Sequence, residues 1–175
     1  IRGYRRRNRV TMFERSYIDA YVQPSLEDLK RHLRITSGDL DETLQPCLLA
    51  AINSAEHHIG KIIARSEFTY SGFFIRSLDL RGPGIVVKSV EVDGKKLGIE
   101  DYDLDGRTLL ISPNVIGKEM QMVYESGMQF VDFDIKAAIL LTAAKLFNNP
   151  ADTVEAMPSV AKNLLRPHRS FGIDG

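Results

Sequence analysis

Hydrophobic positions recur along this chain with two different periods, and the change from one to the other divides it. Leu44, Leu48, Ile52, Ala55, Ile59 and Ile62 fall three or four residues apart, the spacing of one face of an amphipathic helix. This stripe predicts a helix over residues 41–65, with Asp39 or Asp41 as its cap. Pro46 is harmless only in the first turn, so the regular helix is expected to begin later than those caps suggest. Ahead of it, Pro24-Ser25-Leu26-Glu27-Asp28 reads as another helix start. Ser25 is placed to accept from the first turn, and Asp28, three residues on, to answer it. Leu26, Leu29 and Leu33 mark the buried stripe of that helix, and Thr36-Ser37-Gly38-Asp39 ends it as a turn.

From Phe68, Tyr70, Phe73 and Phe74 onward the period shortens towards two. Ile85-Val86-Val87-Lys88-Ser89-Val90-Glu91-Val92 is strand-like, and Asp93-Gly94 behind it is a strong hairpin turn. Arg81-Gly82-Pro83-Gly84 reads as a turn between strands. Asp105-Gly106 leads into Thr108-Leu109-Leu110-Ile111, which Ser112-Pro113-Asn114 stops. Met120, Met122 and Tyr124 alternate with Gln121, Val123 and Glu125, a half-buried strand that ends at Gly127. Roughly four to six short strands are expected, antiparallel because the turns are too short for crossovers, with the four aromatics in their core.

The helical period then returns in Asp134-Ile135-Lys136-Ala137-Ala138-Ile139-Leu140-Leu141-Thr142-Ala143-Ala144-Lys145-Leu146-Phe147. No glycine or proline interrupts it, and Asn148-Asn149-Pro150 closes it. Lys136 and Lys145 are nine residues apart, so at 100° per residue they project from opposite sides and leave no single polar face. The segment falls short of the about 20 apolar residues that span a bilayer, so protein must cover it. A central core helix of a monomer and a helix shared with a neighbouring subunit both satisfy this pattern. Beyond Pro150, Pro158 suits the first turn of a last helix whose apolar side is Val160, Ala161, Leu164 and Leu165. Arg166-Pro167-His168-Arg169-Ser170-Phe171-Gly172 is a basic tail. The predicted fold is α+β: a four-helix α core with an inserted small antiparallel β-sheet subdomain between the second and third core helices. Its parts are an N-terminal arm (1–23), the first part of the helical core (24–66), the β insertion (67–128), and the second part of the core with the tail (129–175).

Composition sharpens this picture in two places. The 175 residues contain no Trp and one cysteine, Cys47, which excludes an intrachain disulfide and a multi-cysteine zinc site and suits a reducing cytosol. The net charge of zero hides an uneven layout. Residues 1–11 carry Arg2, Arg5, Arg6, Arg7 and Arg9 and no acid, which leaves 18 basic against 23 acidic residues, a net −5, for the rest. A basic arm on an acidic body can bind nucleic acid or an acidic partner, through Arg5, Arg6 and Arg7 in particular. Because Met12 would open a sensible coding sequence, residues 1–11 are expected rather to be an artificial extension or a disordered leader. No apolar run follows the arginines, so no secretory signal is expected, and no membrane segment is found.

Little in the chain points to chemistry. Asp101-Tyr102-Asp103-Leu104-Asp105-Gly106 copies the first half of an EF-hand calcium loop, but the twelfth position, which needs a bidentate Glu, is Ser112. His57 and His58 are adjacent on a helix and diverge by about 100°, so that pair cannot chelate one ion. Cys47 reads as a small core residue. There is no nucleophile elbow and no phosphate-binding Gly-x-x-x-x-Gly-Lys. No catalytic residue, metal site or cofactor is expected.

The order of elements resembles the head–tail connector (adaptor) proteins of tailed bacteriophages and prophages. Four stretches carry the likeness over residues 24–171. They are Ser25-Leu26-Glu27-Asp28-Leu29-Lys30-Arg31-His32-Leu33-Arg34-Ile35, the long helix after the acidic turn, Val123-Tyr124-Glu125-Ser126-Gly127, and the last two helices. The resemblance implies a non-enzymatic ring of about a dozen copies under the portal, closed by repeating one head-to-tail joint. Such a ring joins the DNA-filled head to the tail, binds the portal and a tail or stopper (completion) protein, and lets DNA pass without reading its sequence. It implies assembly in the host cytoplasm and residence in the virion neck. By position alone, Arg166, Arg169 and Phe171 would contact the portal, while Lys136, Leu140, Leu141 and Phe147 would form the subunit interface. The alternative is a nucleic-acid-binding regulator that uses the arginine arm. A ligand module on the β insertion has only its aromatics in support.

Overall fold

The change of period is where the backbone itself changes. In the computed structural model, which describes residues 12–18, 22–149 and 157–169, helix gives way to strand at Ser66 and strand to helix after Ser126. The chain divides into two compact units, residues 1–17 with 66–127 and residues 18–65 with 128–175. It is α+β, with four α-helices and antiparallel sheets among the described residues.

The strand unit departs from a small insertion. It holds eight strands among the described residues, and the first of them, β1 (Met12–Tyr17), precedes every helix. The others are β2 (Ser66–Phe73), β3 (Ser77–Asp79), β4 (Val86–Val92), β5 (Lys95–Lys96), β6 (Tyr102–Asp105), β7 (Thr108–Ile111) and β8 (Glu119–Ser126). One sheet runs β1-β2-β8-β4-β5 and the other β3-β7-β6, every pair antiparallel. The sequence could not show β1 joining them, because its partner β2 lies some fifty residues further on.

Alternation decides which face of the five-stranded sheet is buried. Tyr70 pairs with Met122 and Met122 with Val90, so three buried side chains from three strands form one row. In the next row Phe68 stacks on Tyr124, with centroids 5.1 Å apart and planes 15° from parallel. The Tyr124 hydroxyl accepts the Arg81 N–H at 3.1 Å, and burial raises its pKa. Phe68 and Tyr70 are thus core as expected. Phe73 is not: it is 63% exposed, and Phe74 is half-buried. Alternation along β2 puts Phe73, opposite Glu119, on the face away from Phe68 and Tyr70.

Both glycine-containing turns form. Asp93 and Gly94 have φ of 51° and 79°, the double positive φ of a two-residue hairpin between β4 and β5. The Asp93 carboxylate also accepts the N–H of Lys118 at 3.1 Å and of Glu119 at 2.9 Å, which holds its pKa below the usual value. In the Arg81-Gly82-Pro83-Gly84 turn, the Pro83 carbonyl accepts the Ser126 hydroxyl at 2.7 Å and the Gly127 N–H at 2.9 Å.

The helical unit contains α1 (Leu26–Leu33), α2 (Asp41–Ile59), α3 (Phe133–Asn148) and α4 (Ser159–Leu165), and α3 packs against each of the other three. Ser25 caps α1 as predicted: its hydroxyl accepts the Asp28 N–H at 3.2 Å, and the Asp28 carboxylate accepts the Ser25 N–H at 3.0 Å. The predicted α2 needs three corrections. It starts at Asp41 despite Pro46, its N-cap is Leu40 rather than Asp39 or Asp41, and it stops at Ile59 rather than near residue 65. Pro46 and Glu42 are exposed, so the carbonyl that loses its partner can face water. Gly60, at φ 72°, ends the helix with a left-handed cap. Val160, expected on the apolar side of α4, is 61% exposed; Ala161 and Leu165 carry the burial.

Candidate assembly surfaces

The described residues group no three His, Cys, Asp or Glu side chains able to hold a metal ion. Asp101 to Gly106 pass from a single 3-10 turn into β6 and a tight turn, not into the helix a calcium loop requires. Cys47 is half-buried rather than core, and burial raises its pKa, so little thiolate forms. No helix in the described residues is long and apolar enough to cross a membrane. What stands out instead is surface.

The first surface is the outer side of α3. Ile135, Ala138, Ile139, Thr142 and Ala143 are buried, and Thr142 satisfies its hydroxyl by donating to the Ala138 carbonyl at 2.8 Å. At 100° per residue, Phe133, Lys136, Ala137, Leu140, Ala144 and Phe147 lie within about 60° of one direction on the opposite side. This stripe is apolar apart from Lys136, yet no member is fully buried, and Phe133 is 89% exposed. Leu141 and Lys145, beside it, are also half-buried. The helix is therefore neither wetted along its flanks nor enclosed. Phe130, three residues ahead of Phe133, is likewise 89% exposed. Sequence reasoning passed over both phenylalanines, although Phe133, Leu140 and Phe147 are seven residues apart, the spacing of one helix face.

The second surface is the end of α4 and the 3-10 turn Arg166–His168 that follows it. Arg166 and Arg169 are exposed. His168 Nδ1 lies 3.5 Å from Asp132 Oδ2, which ties this turn to the residue before α3. His58 has its pKa lowered by burial and then by the nearby charges of Arg169 and Lys162, so α2 contributes to the same cationic neighbourhood. Phe171 lies outside the described residues, as do Arg5, Arg6 and Arg7.

The third surface belongs to the strand unit. On the face of the five-stranded sheet away from Tyr70 and Met122, Glu67 stands directly opposite Glu125, a repulsive pairing. Lys88 sits at the register shift between Val87 and Ser89, and its Nζ reaches Glu125 at 2.9 Å. Further along, a cleft of 660 Å³ is lined by Met12, Phe73, Glu91, Asp93, Glu119 and Met120, among others.

No family model matches this chain, and neither does any curated protein. Solved structures do. A chain in the neck of an empty GTA particle computed with C6 symmetry superposes with a TM-score of 0.70 at 18% identity, covering 94% of this chain and 98% of that one. A chain in the neck of a native GTA particle computed with C12 symmetry gives 0.68 at 16% identity, over 95% and 98%. A chain in the virion of a native gene transfer agent (GTA) particle gives 0.65 at 16% identity, over 94% and 98%. The fold of this chain is thus that of a subunit found in particle necks.

Proposed function

We propose that this chain is a non-enzymatic subunit of a phage-like neck, a head–tail connector that assembles with copies of itself into a ring. The observation that carries the reading is a likeness spanning nearly the whole chain to subunits of necks computed with sixfold and twelvefold symmetry. The outer side of α3 supports it independently. A stripe of Phe133, Leu140 and Phe147, bordered by Lys136 and Leu141, leaves apolar area that one subunit does not cover, and a head-to-tail joint repeated around a closing rotation would cover it in every copy. In this reading Lys136, Leu140, Leu141 and Phe147 form the joint. The basic turn with Arg166 and Arg169, continuing to Phe171, docks to the portal. The opposite rim receives a tail or stopper protein, DNA passes through the bore, and the ring, assembled in the host cytoplasm, resides in the virion neck.

The test is co-expression of the full chain with its cognate portal, followed by mass photometry and cryo-EM. The expected result is a closed ring seated on the portal. A chain that stays monomeric and apart from the portal at micromolar concentration overturns the reading.

A further inference from the structure

Two sets of exposed apolar side chains on this chain are complementary in form. The first is a pair of knobs. Phe130 and Phe133 stand three residues apart where the chain enters α3, and each is 89% exposed. Burying a phenylalanine takes about 150–250 Å² out of water, so the pair is a large contact left unmade in one copy. The second set borders a hollow on the outer face of the five-stranded sheet. Most of that face is charged, with Glu14, Glu67, Glu91, Glu119 and Glu125 on it from four strands. Near one end, register sets Met12, Ser71, Gln121 and Glu91 in a single row, and Phe73 follows Ser71 on the same side. The short Ser71 and the adjacent Gly72 leave a depression between two long apolar side chains, Met12 at 53% and Phe73 at 63% exposure. This is the 660 Å³ cleft. Its volume is that of clefts that enclose a drug-sized molecule, enough for two phenyl rings.

A joint that closes a ring needs two different surfaces on every copy. Phe130 and Phe133 set against the same pair of a second copy would be an isologous contact and would stop at a dimer, whereas a knob entering a hollow repeats around the ring. We infer that Phe130 and Phe133 of one copy seat in the cleft between Met12 and Phe73 of the next. There the Met12 thioether and the Phe73 ring meet the incoming phenyl rings, contacts that sulfur and aromatic groups both favour. The occupant is a second copy of this chain, and its recognition is apolar rather than ionic. This inference rests on the ring reading above and supplies the surface that receives the entrance to α3.

The test co-expresses two differently tagged full-length copies with the portal, both carrying Cys47→Ser to remove the one native thiol. Phe133→Cys in one copy and Ser71→Cys in the other should give one-to-one disulfide-linked pairs under mild oxidation. The yield should exceed by about tenfold that of Phe133→Cys with Leu110→Cys on the three-stranded sheet, because a disulfide needs its two Cα atoms within about 7 Å. Phe130→Ser with Phe133→Ser should lower the number of rings about tenfold, and so should Ser71→Trp, which fills the hollow, while circular dichroism of each isolated chain stays unchanged. Mixed without unsubstituted chain, these two variants can make one sound joint only, so mass photometry should show pairs and no ring. If the unsubstituted chain forms rings on the portal and the cysteines do not link, the inference is overturned and the neck reading stands. A link between two Phe133→Cys copies, or from Ser71→Cys to the portal or another protein, overturns it in the same way. If the unsubstituted chain forms no ring at all, both fall together.

Discussion

The carboxylate of Glu56, on the last turn of α2, accepts the backbone N–H of Ile63 at 2.8 Å and of Ala64 at 3.0 Å. Glu56 is 7% exposed, and both amides belong to buried residues. One side chain thus takes over where the helix stops at Gly60. It turns the chain towards β2 and satisfies two donors that would otherwise be buried without partners.

Glu56→Ala should therefore be among the more damaging substitutions in the helical unit. Leaving each of the two buried N–H groups without an acceptor costs about 1–3 kcal/mol, so a loss of about 2–6 kcal/mol is expected. Glu56→Gln keeps an acceptor oxygen and should cost less than half as much. Urea unfolding of the two variants checks the order, and equal midpoints would contradict it.

The cap of α1 should make stability depend on acid. The Ser25 N–H and hydroxyl hold the Asp28 pKa below its ordinary 3.8, against a smaller opposing effect of burial, and Arg31 and Lys136 add to the lowering. A carboxylate lowered on folding contributes stability that is fully present above 3.8 and lost as pH falls through the lower folded value. Ser25→Ala should cost about 1 kcal/mol at neutral pH. Between neutrality and pH 2 the gap in denaturant midpoint between wild type and variant should narrow but not close, because the Asp28 N–H still donates to the Ser25 hydroxyl after the carboxylate is protonated.

Gly117 has no room for a side chain. A Cβ there would collide with Cγ1 of Val92, a β-branched residue that is 5% exposed and paired with Met120. Gly117→Ala should destabilise by about 1–3 kcal/mol through this overpacking, although Gly117 is only half-buried. Thermal unfolding distinguishes this from the near-neutral result of an ordinary surface substitution.

The two sides of α3 should respond differently. Ile139→Ala, in the buried stripe, is expected to cost about 2–5 kcal/mol in the isolated subunit. Phe133→Ser, at a side chain that is 89% exposed, should change subunit stability by no more than about 0.5 kcal/mol. If α3 forms the joint, that same substitution should abolish assembly with the portal, as read by mass photometry. Undiminished ring formation by Phe133→Ser would remove Phe133 from the joint.

Much of the fold was legible locally. The Ser25–Asp28 cap, the Asp93-Gly94 hairpin, the strand over Thr108–Ile111 and the extent of α3 each follow from residue types within a few positions of one another. A turn or a cap is settled by its own backbone angles and donors, so nearby residues suffice. The length of α2 was misread because Ile62 continues the stripe in phase past Gly60, and spacing alone does not reveal a left-handed cap. Glu56 was missed because a glutamate in a helix ordinarily faces water. The likeness drawn from residue patterns was to phage connectors and the fold comparison matched chains of GTA particle necks, while the role of each candidate side chain remained a matter of proposal.

By itself, then, the sequence determined roughly where the four helices fall and where β2, β4, β7 and β8 fall, that no membrane helix was to be sought, and that α3 lacked a polar face. Tertiary structure alone decided that β1 joins the sheet, that Phe73 turns outward while Phe68 and Tyr70 turn in, and that carboxylates from four different strands share one face. The reason is distance along the chain. Periodicity reports which side of an element is apolar, but which elements meet across fifty residues depends on how all of their buried faces can be satisfied at once.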